Sequence, residues 1–229
     1  TVSSLLSIFF SMKFSNLADF SRKTSVVTAN GIVKDKTGRL WVGTNCMGIS
    51  ILDKNKKIVK HINHSNAPIN DNIVSIDIDN EDNIWAGSLS NGLYKISPGE
   101  SIAHYINQQN DNTSLIGSKV YALYSLNSDS LFVATNKGID IYLHKKNIFA
   151  NIVPPMQEDY AFCNIYCYQH YVYIVDLYSF FRFDRRTGKS EKFTYLQSTI
   201  SFSAVISTGK DVCGLVRQRA SSCCSIVIN

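Results

Sequence analysis

The sequence predicts an all-β chain folded as a β-propeller of about five four-stranded blades. Three observations carry that expectation. The segment Asp35-Lys36-Thr37-Gly38-Arg39-Leu40-Trp41-Val42-Gly43-Thr44 returns in altered form as Asp79-Asn80-Glu81-Asp82-Asn83-Ile84-Trp85-Ala86-Gly87-Ser88, placing Trp85 forty-four positions after Trp41. A third copy, Ser130-Leu131-Phe132-Val133-Ala134-Thr135, puts an aromatic forty-seven positions further on. Around each copy, short apolar runs with strand periodicity alternate with polar turns. A recurrence of roughly 40–50 residues marks a modular array whose units must stack to bury their faces.

The first unit, near 26–62, can be parsed in order. Residues 26–35 hold a strand, and Asp35-Lys36-Thr37-Gly38 is a tight turn in which Asp bonds the following backbone and Gly supplies positive φ. Residues 39–43 form a second strand, with Leu40 and Val42 alternating against Trp41. A turn at 45–48 leads into Ile49-Ser50-Ile51-Leu52, and a polar turn at 53–56 leads into Lys57-Ile58-Val59-Lys60-His61-Ile62. Further units are expected near 73–106, 119–152 and 161–195, with a partial one at 199–215. Residues 1–25 read either as strands of an incomplete blade or as a signal-peptide remnant, and 216–229 as an irregular tail.

Residues that recur with the unit are expected to serve the fold. Trp41, Trp85, Phe132 and Tyr173 keep register, which assigns them to the core between blades and not to ligand stacking. Gly43 and Gly87 follow the aromatic, where a missing side chain lets the next blade approach closely. Gly48, Gly92 and Gly138 open the third strand at a tight turn.

Composition narrows the function classes. The 229 residues are 45% hydrophobic and 18% charged, enough apolar material for a sizeable core. The net charge of +5 is spread over small clusters in turns, including Lys54/Lys56/Lys57, Lys145/Lys146 and Arg185/Arg186. Without a contiguous basic patch, no nucleic-acid partner is expected. The six cysteines lack the paired spacings of a zinc site and read as buried or incidental thiols. His61 and His64 are spaced as metal ligands could be, but His104 stands forty-three positions after His61, at the same point of the next unit. That makes His61 and His104 positional. The acidic residues Asp77, Asp79, Glu81 and Asp82 lack the order of a calcium loop. Catalytic motifs, metal ligands and cofactors are therefore not expected, and the chain is read as a non-enzyme.

The residues 38–44, followed by Gly48-Ile49-Ser50-Ile51-Leu52-Asp53, resemble the two-component regulator propeller repeat. The linker His104-Tyr105-Ile106-Asn107-Gln108-Gln109-Asn110-Asp111-Asn112-Thr113-Ser114-Leu115 is similar to that family's spacer between blades. The resemblance implies the periplasmic sensor region of a hybrid histidine kinase of Bacteroidetes. Such a region perceives glycan-derived oligosaccharides and works as a homodimer in the intact sensor. It also implies a seven-bladed ring, of which about five blades are present, so the chain is expected to be a fragment, truncated or frameshifted. Contact with the membrane is expected only through segments downstream of it.

Propeller ligands gather where the loops between strands 2 and 3 meet the linkers between successive blades. Here these are 45–47, 89–91 and 136–137, with the linkers 63–72 and 107–118. They are rich in Asn, Ser and Gln, whose amides and hydroxyls match the alternating donors and acceptors of a sugar. The candidate ligand-binding residues are Asn45, Asn66, Asn91, Asn112, Asn136 and Lys137. The alternatives to a sensor are a protein-interaction scaffold and a carbohydrate-active propeller enzyme.

Overall fold

Each recurrence folds into one antiparallel sheet. The computed structural model describes residues 29–126, 129–153, 162–176, 179–194, 201–207, 213–219 and 222–228; the segment 1–25 lies outside them. The first sheet holds β1 (Ala29–Lys34), β2 (Leu40–Thr44), β3 (Ile49–Leu52) and β4 (Ile58–Ile62). The second holds β5 (Ile73–Ile78), β6 (Ile84–Ser88), β7 (Leu93–Ile96) and β8 (Ile102–Tyr105). The third holds β9 (Val120–Ser125), β10 (Ser130–Thr135), β11 (Gly138–Leu143) and β12 (Ile148–Val153). In the fourth are β13 (Phe162–Tyr168), β14 (Tyr171–Asp176), β15 (Ser179–Asp184) and β16 (Lys189–Thr194), and in the last β17 (Ser201–Ser207), β18 (Cys213–Arg219) and β19 (Ser222–Ile228).

Within every sheet the strands run antiparallel in chain order. Between sheets, β1 lies against β5, β5 against β9, β9 against β13 and β13 against β17. Each sheet's first strand is thus innermost and its fourth outermost, which is the blade arrangement of a propeller. Exposure follows: all of β2 and β6 is buried, whereas Ile58, Val59 and Lys60 of β4 face solvent.

β6 is buried on both faces because it is held between the first and third blades. Trp41 packs with Ile49 and Ile51 of its own blade against Ile73, Ile84, Ala86 and Ile96 of the next. Trp85 does the same toward Leu115, Val120, Leu131 and Val133, and Phe132 toward Ile165, Val172, Ile174 and Phe183. The recurring aromatic always points forward along the chain; its neighbours Ile84 and Ala86 point back. A one-residue slip would reverse every such assignment. Gly87 permits a close approach of the next blade, since a Cβ there would lie 2.5 Å from a Val120 methyl. Gly92 has φ +72° and its Cβ would meet the Tyr105 carbonyl oxygen at 2.2 Å, so a side chain is excluded on both counts.

Below each tryptophan lies a carboxylate. Asp35 accepts the Trp41 indole N–H at 2.9 Å, the Thr37 and Arg39 amides at 3.0 and 2.9 Å, and Arg39 Nε–H at 2.7 Å. Asp79 accepts the Trp85 indole N–H at 2.8 Å and the Glu81 and Asn83 amides at 3.0 and 2.9 Å. One side chain therefore closes the hairpin and neutralises the polar edge of the buried ring. Burial opposes the charge on Asp35, but the donors of Trp41, Thr37 and Arg39 outweigh it and hold its carboxyl below the usual range. The third blade keeps the hairpin, with Leu126 N–H donating to the Ser130 carbonyl at 3.1 Å, yet has Leu126 and Phe132 where the others have Asp and Trp. Acceptor and donor are absent together.

The fourth blade differs from expectation in degree. Tyr173 keeps its place in β14 but is only half-buried, and its hairpin is shortened, with Tyr168 paired directly to Tyr171. Residues 216–229, expected to be an irregular tail, hold the end of β18 and all of β19, paired from Cys213↔Ile228 to Arg219↔Ser222. Ladder pairing of the backbone does not require apolar alternation.

The carboxylate and indole should behave as one unit. Asp79→Leu is expected to cost about 2–3 kcal/mol by leaving several donors unpaired. Combining it with Trp85→Phe should cost less than the sum of the single changes by about 1 kcal/mol or more, measured by urea unfolding. Strict additivity would show that the bond does not couple them.

Candidate functional site

The polar cleft arises where the linker 63–72 passes from the first blade to the second. Asn63 starts it with a helical turn, its carbonyl accepting from the Asn66 and Ala67 amides at 3.1 and 2.9 Å. Asp71 closes it: one carboxylate oxygen accepts the His64 amide at 2.8 Å and the other contacts His64 Nδ1. The linker is then pinned to both blades. Gly48 N–H of the first donates to the Asp71 carbonyl at 2.8 Å, and Leu89 N–H of the second to the Asn72 carbonyl at 3.2 Å.

The second blade supplies a stacked wall. Buried Tyr94 accepts at its hydroxyl from Asn91 Nδ2 at 2.6 Å and from the Asn70 amide at 3.1 Å. His104 lies parallel on the Tyr94 ring, centroids 4.5 Å apart, and its Nε2–H donates to the Asn91 carbonyl at 2.7 Å. Burial raises the Tyr94 pKa, which keeps the phenol neutral. The space they border is an open cleft of about 800 Å³ lined by Asn45, Cys46, His64, Ala67, Pro68, Ile69, Asn70, Asp71, Asn72, Ser90, Asn91 and His104. That volume suits a small ligand, with an apolar strip at 67–69 set among amides and imidazoles.

Of the six residues expected at a binding site, the cleft brings together Asn45 and Asn91. Asn66 is used within the linker, its amide donating to the His61 carbonyl at 2.9 Å and its oxygen accepting the Asn63 amide at 3.0 Å. Asn112 is exposed on the following linker, between Asp111 and Thr113. Asn136 is buried, its Oδ1 accepting the Lys119 amide at 3.2 Å, and the Lys137 amide donates to Thr135 Oγ1 at 3.2 Å. Sequence reasoning named the loops containing His64, Asn70, Asp71, Asn72 and Ser90 without choosing these residues. The stack of His104 on Tyr94 was missed. Its signal was the repeat itself: His61 pairs with Ser50 exactly as far along the first blade as His104 pairs with Tyr94 along the second, so the imidazole keeps its place while its partner changes.

The same position of the third blade holds a buried acid. Asp140 pairs with Asn151 across β11 and β12 and accepts the Ile116 amide of the linker that precedes its blade at 2.8 Å. Burial pushes its pKa up to about 6, outweighing the bonds from Ile116 and Asn151. Among the described residues, no group of three or more His, Cys, Asp or Glu could hold a metal ion.

The family model for the two-component regulator propeller matches residues 23–46, the first strand, hairpin and Trp41 strand. Solved structures share the fold over about four fifths of the chain. The extracellular domain of a Bacteroides thetaiotaomicron protein described as the hybrid two-component system BT3049 superposes with a TM-score of 0.68 at 15% identity, covering 83% of this chain and 27% of that one. The corresponding domain of BT4673 from the same organism gives 0.66 at 19% identity, covering 80% and 26%. An auxiliary nutrient binding protein from Bacteroides ovatus gives 0.57 at 10% identity, covering 81% and 51%. The chain thus spans about a quarter of the length of the first two. No curated protein matches the sequence.

The raised pKa of Asp140 links folding of this chain to pH. The folded state holds the proton more tightly than the unfolded chain, so the stability it gives is complete below about pH 4 and is lost as pH rises through 6. Asp140→Asn should match the parent at pH 4 and exceed it by roughly 2–3 kcal/mol at pH 8, measured by urea unfolding. Equal stabilities at both pH values would contradict this reading.

Proposed function

We propose that this chain is part of the extracytoplasmic, periplasmic sensor region of a hybrid two-component system and that the cleft between its first two blades receives an oligosaccharide. The cleft carries the reading: amides, imidazoles and a hydroxyl surround an apolar strip, the combination that binds sugar hydroxyls and the C–H face of a ring. The likeness of the chain's fold to extracellular domains of hybrid two-component systems and to a nutrient binding protein supports the setting. No catalytic role is assigned to this chain; in the intact sensor, a homodimer, the kinase lies in downstream segments.

The geometry suggests how binding would be relayed. The linker 63–72 is fastened to Gly48 of one blade and Leu89 of the next. A ligand touching linker and loops favours whichever relative placement of the two blades fits it best. It shifts the signalling equilibrium only by its difference in affinity between the two states.

Calorimetric titration of the chain with a panel of oligosaccharides tests the reading. At least one should bind with one-to-one stoichiometry. Ser90→Trp, which fills the cleft from an exposed position, should weaken it about tenfold or more. Binding unchanged by Ser90→Trp, or no binding across the panel, would overturn the assignment.

A further inference from the structure

We infer that the cleft selects uncharged glycans and discriminates against uronate and sulfated ones, an inference that rests on reading it as a glycan site. The charges that frame it carry the argument. The chain has 23 Lys and Arg residues, yet the three segments that build the cleft, 45–48, 63–72 and 89–92, contain none. The basic clusters sit instead on turns at the other end of the strands: Lys54, Lys56 and Lys57 between β3 and β4, Lys145 and Lys146 between β11 and β12, Arg185 and Arg186 between β15 and β16. Antiparallel order puts those turns on the face opposite the cleft, because strands 2 and 3 meet at one face and strands 3 and 4 at the other.

Asp71 is the one carboxylate among the lining residues. Its side chain is 28% exposed, and both of its oxygens are oriented by His64. A ligand carboxylate or sulfate entering here would meet a fixed negative charge and no guanidinium or ammonium to compensate its lost hydration. A sugar hydroxyl meets the opposite situation. His64 Nδ1 faces the Asp71 carboxylate and is therefore a donor, so in the neutral ring Nε2 is left as an acceptor. The Asn91 carbonyl fixes His104 in the tautomer with the proton on Nε2. Amide side chains of Asn45, Asn70 and Asn91 add both kinds of partner. A hydroxyl gives and accepts a hydrogen bond, and so can use either; a carboxylate can only accept.

The test is calorimetry on the chain at pH 7.5 with matched probes: oligogalacturonides and their carboxyl-reduced forms, heparin oligosaccharides and their desulfated forms, and neutral gluco-, xylo-, manno- and arabino-oligosaccharides. A neutral probe should bind, and each anionic probe should bind about tenfold or more weakly than its neutral counterpart, a gap that narrows as salt is raised. Asp71→Asn should reduce the anionic-to-neutral gap by about fivefold to tenfold. Ser90→Lys, which places an ammonium on the exposed rim without touching the Asp71–His64 contact, should move the same ratio in the same direction. Anionic probes binding as tightly as their neutral forms, or a gap that neither variant nor salt alters, would overturn the inference while the glycan reading stands. Absence of binding by every probe would overturn both.

Discussion

The fold depends on placing a polar-edged tryptophan between two blades without leaving its N–H unpaired. A buried donor with no partner costs about 1–3 kcal/mol. Asp35 and Asp79 remove that cost six positions before Trp41 and Trp85, from the turn that precedes the strand. The same carboxylates accept the amides of that turn. Hairpin closure, ring orientation and interblade packing thus share a single acceptor. Its absence in the third blade is informative, because there the ring is Phe132 and needs none.

With the aromatics fixed, the rest of the array follows from spacing. Forward-pointing rings demand close approach of the next blade, which Gly87 permits and which Lys36 reinforces by donating its amide to Asp82 at 3.1 Å. Close approach in turn sets where each linker must run. The path over residues 63–72 is long enough to leave a cleft above Tyr94 and His104. The candidate site is therefore a product of how two repeats are joined, and its polar lining stands on the most strongly specified part of the chain.

Much of this was legible in the sequence. Trp41, Trp85 and Phe132 announced the blade period, and their recurrence separated scaffold from ligand-binding candidates. Asp35 was readable as a turn residue, but not as the partner of an indole, because that bond depends on the twist of a hairpin and not on adjacency. The loops that frame the cleft were also legible, as ranges. Individual amides were not: Asn66 and Asn136 bond backbone groups, Asn45 and Asn91 line the cleft, and the residue type is the same in each case. The hairpin of β18 and β19 escaped notice because its residues lack the strict apolar-polar alternation by which the earlier strands were read.

Hydrogen exchange of the two indole N–H protons, followed by NMR on the intact chain, tests the central claim most directly. With only two tryptophans, both signals can be assigned by single Trp→Phe substitutions. If the buried carboxylates hold the rings, both protons should exchange as slowly as the central β2 and β6 amides and only through opening of the blades. Indole exchange at the rate of a free side chain, while those amides stay protected, would contradict the account.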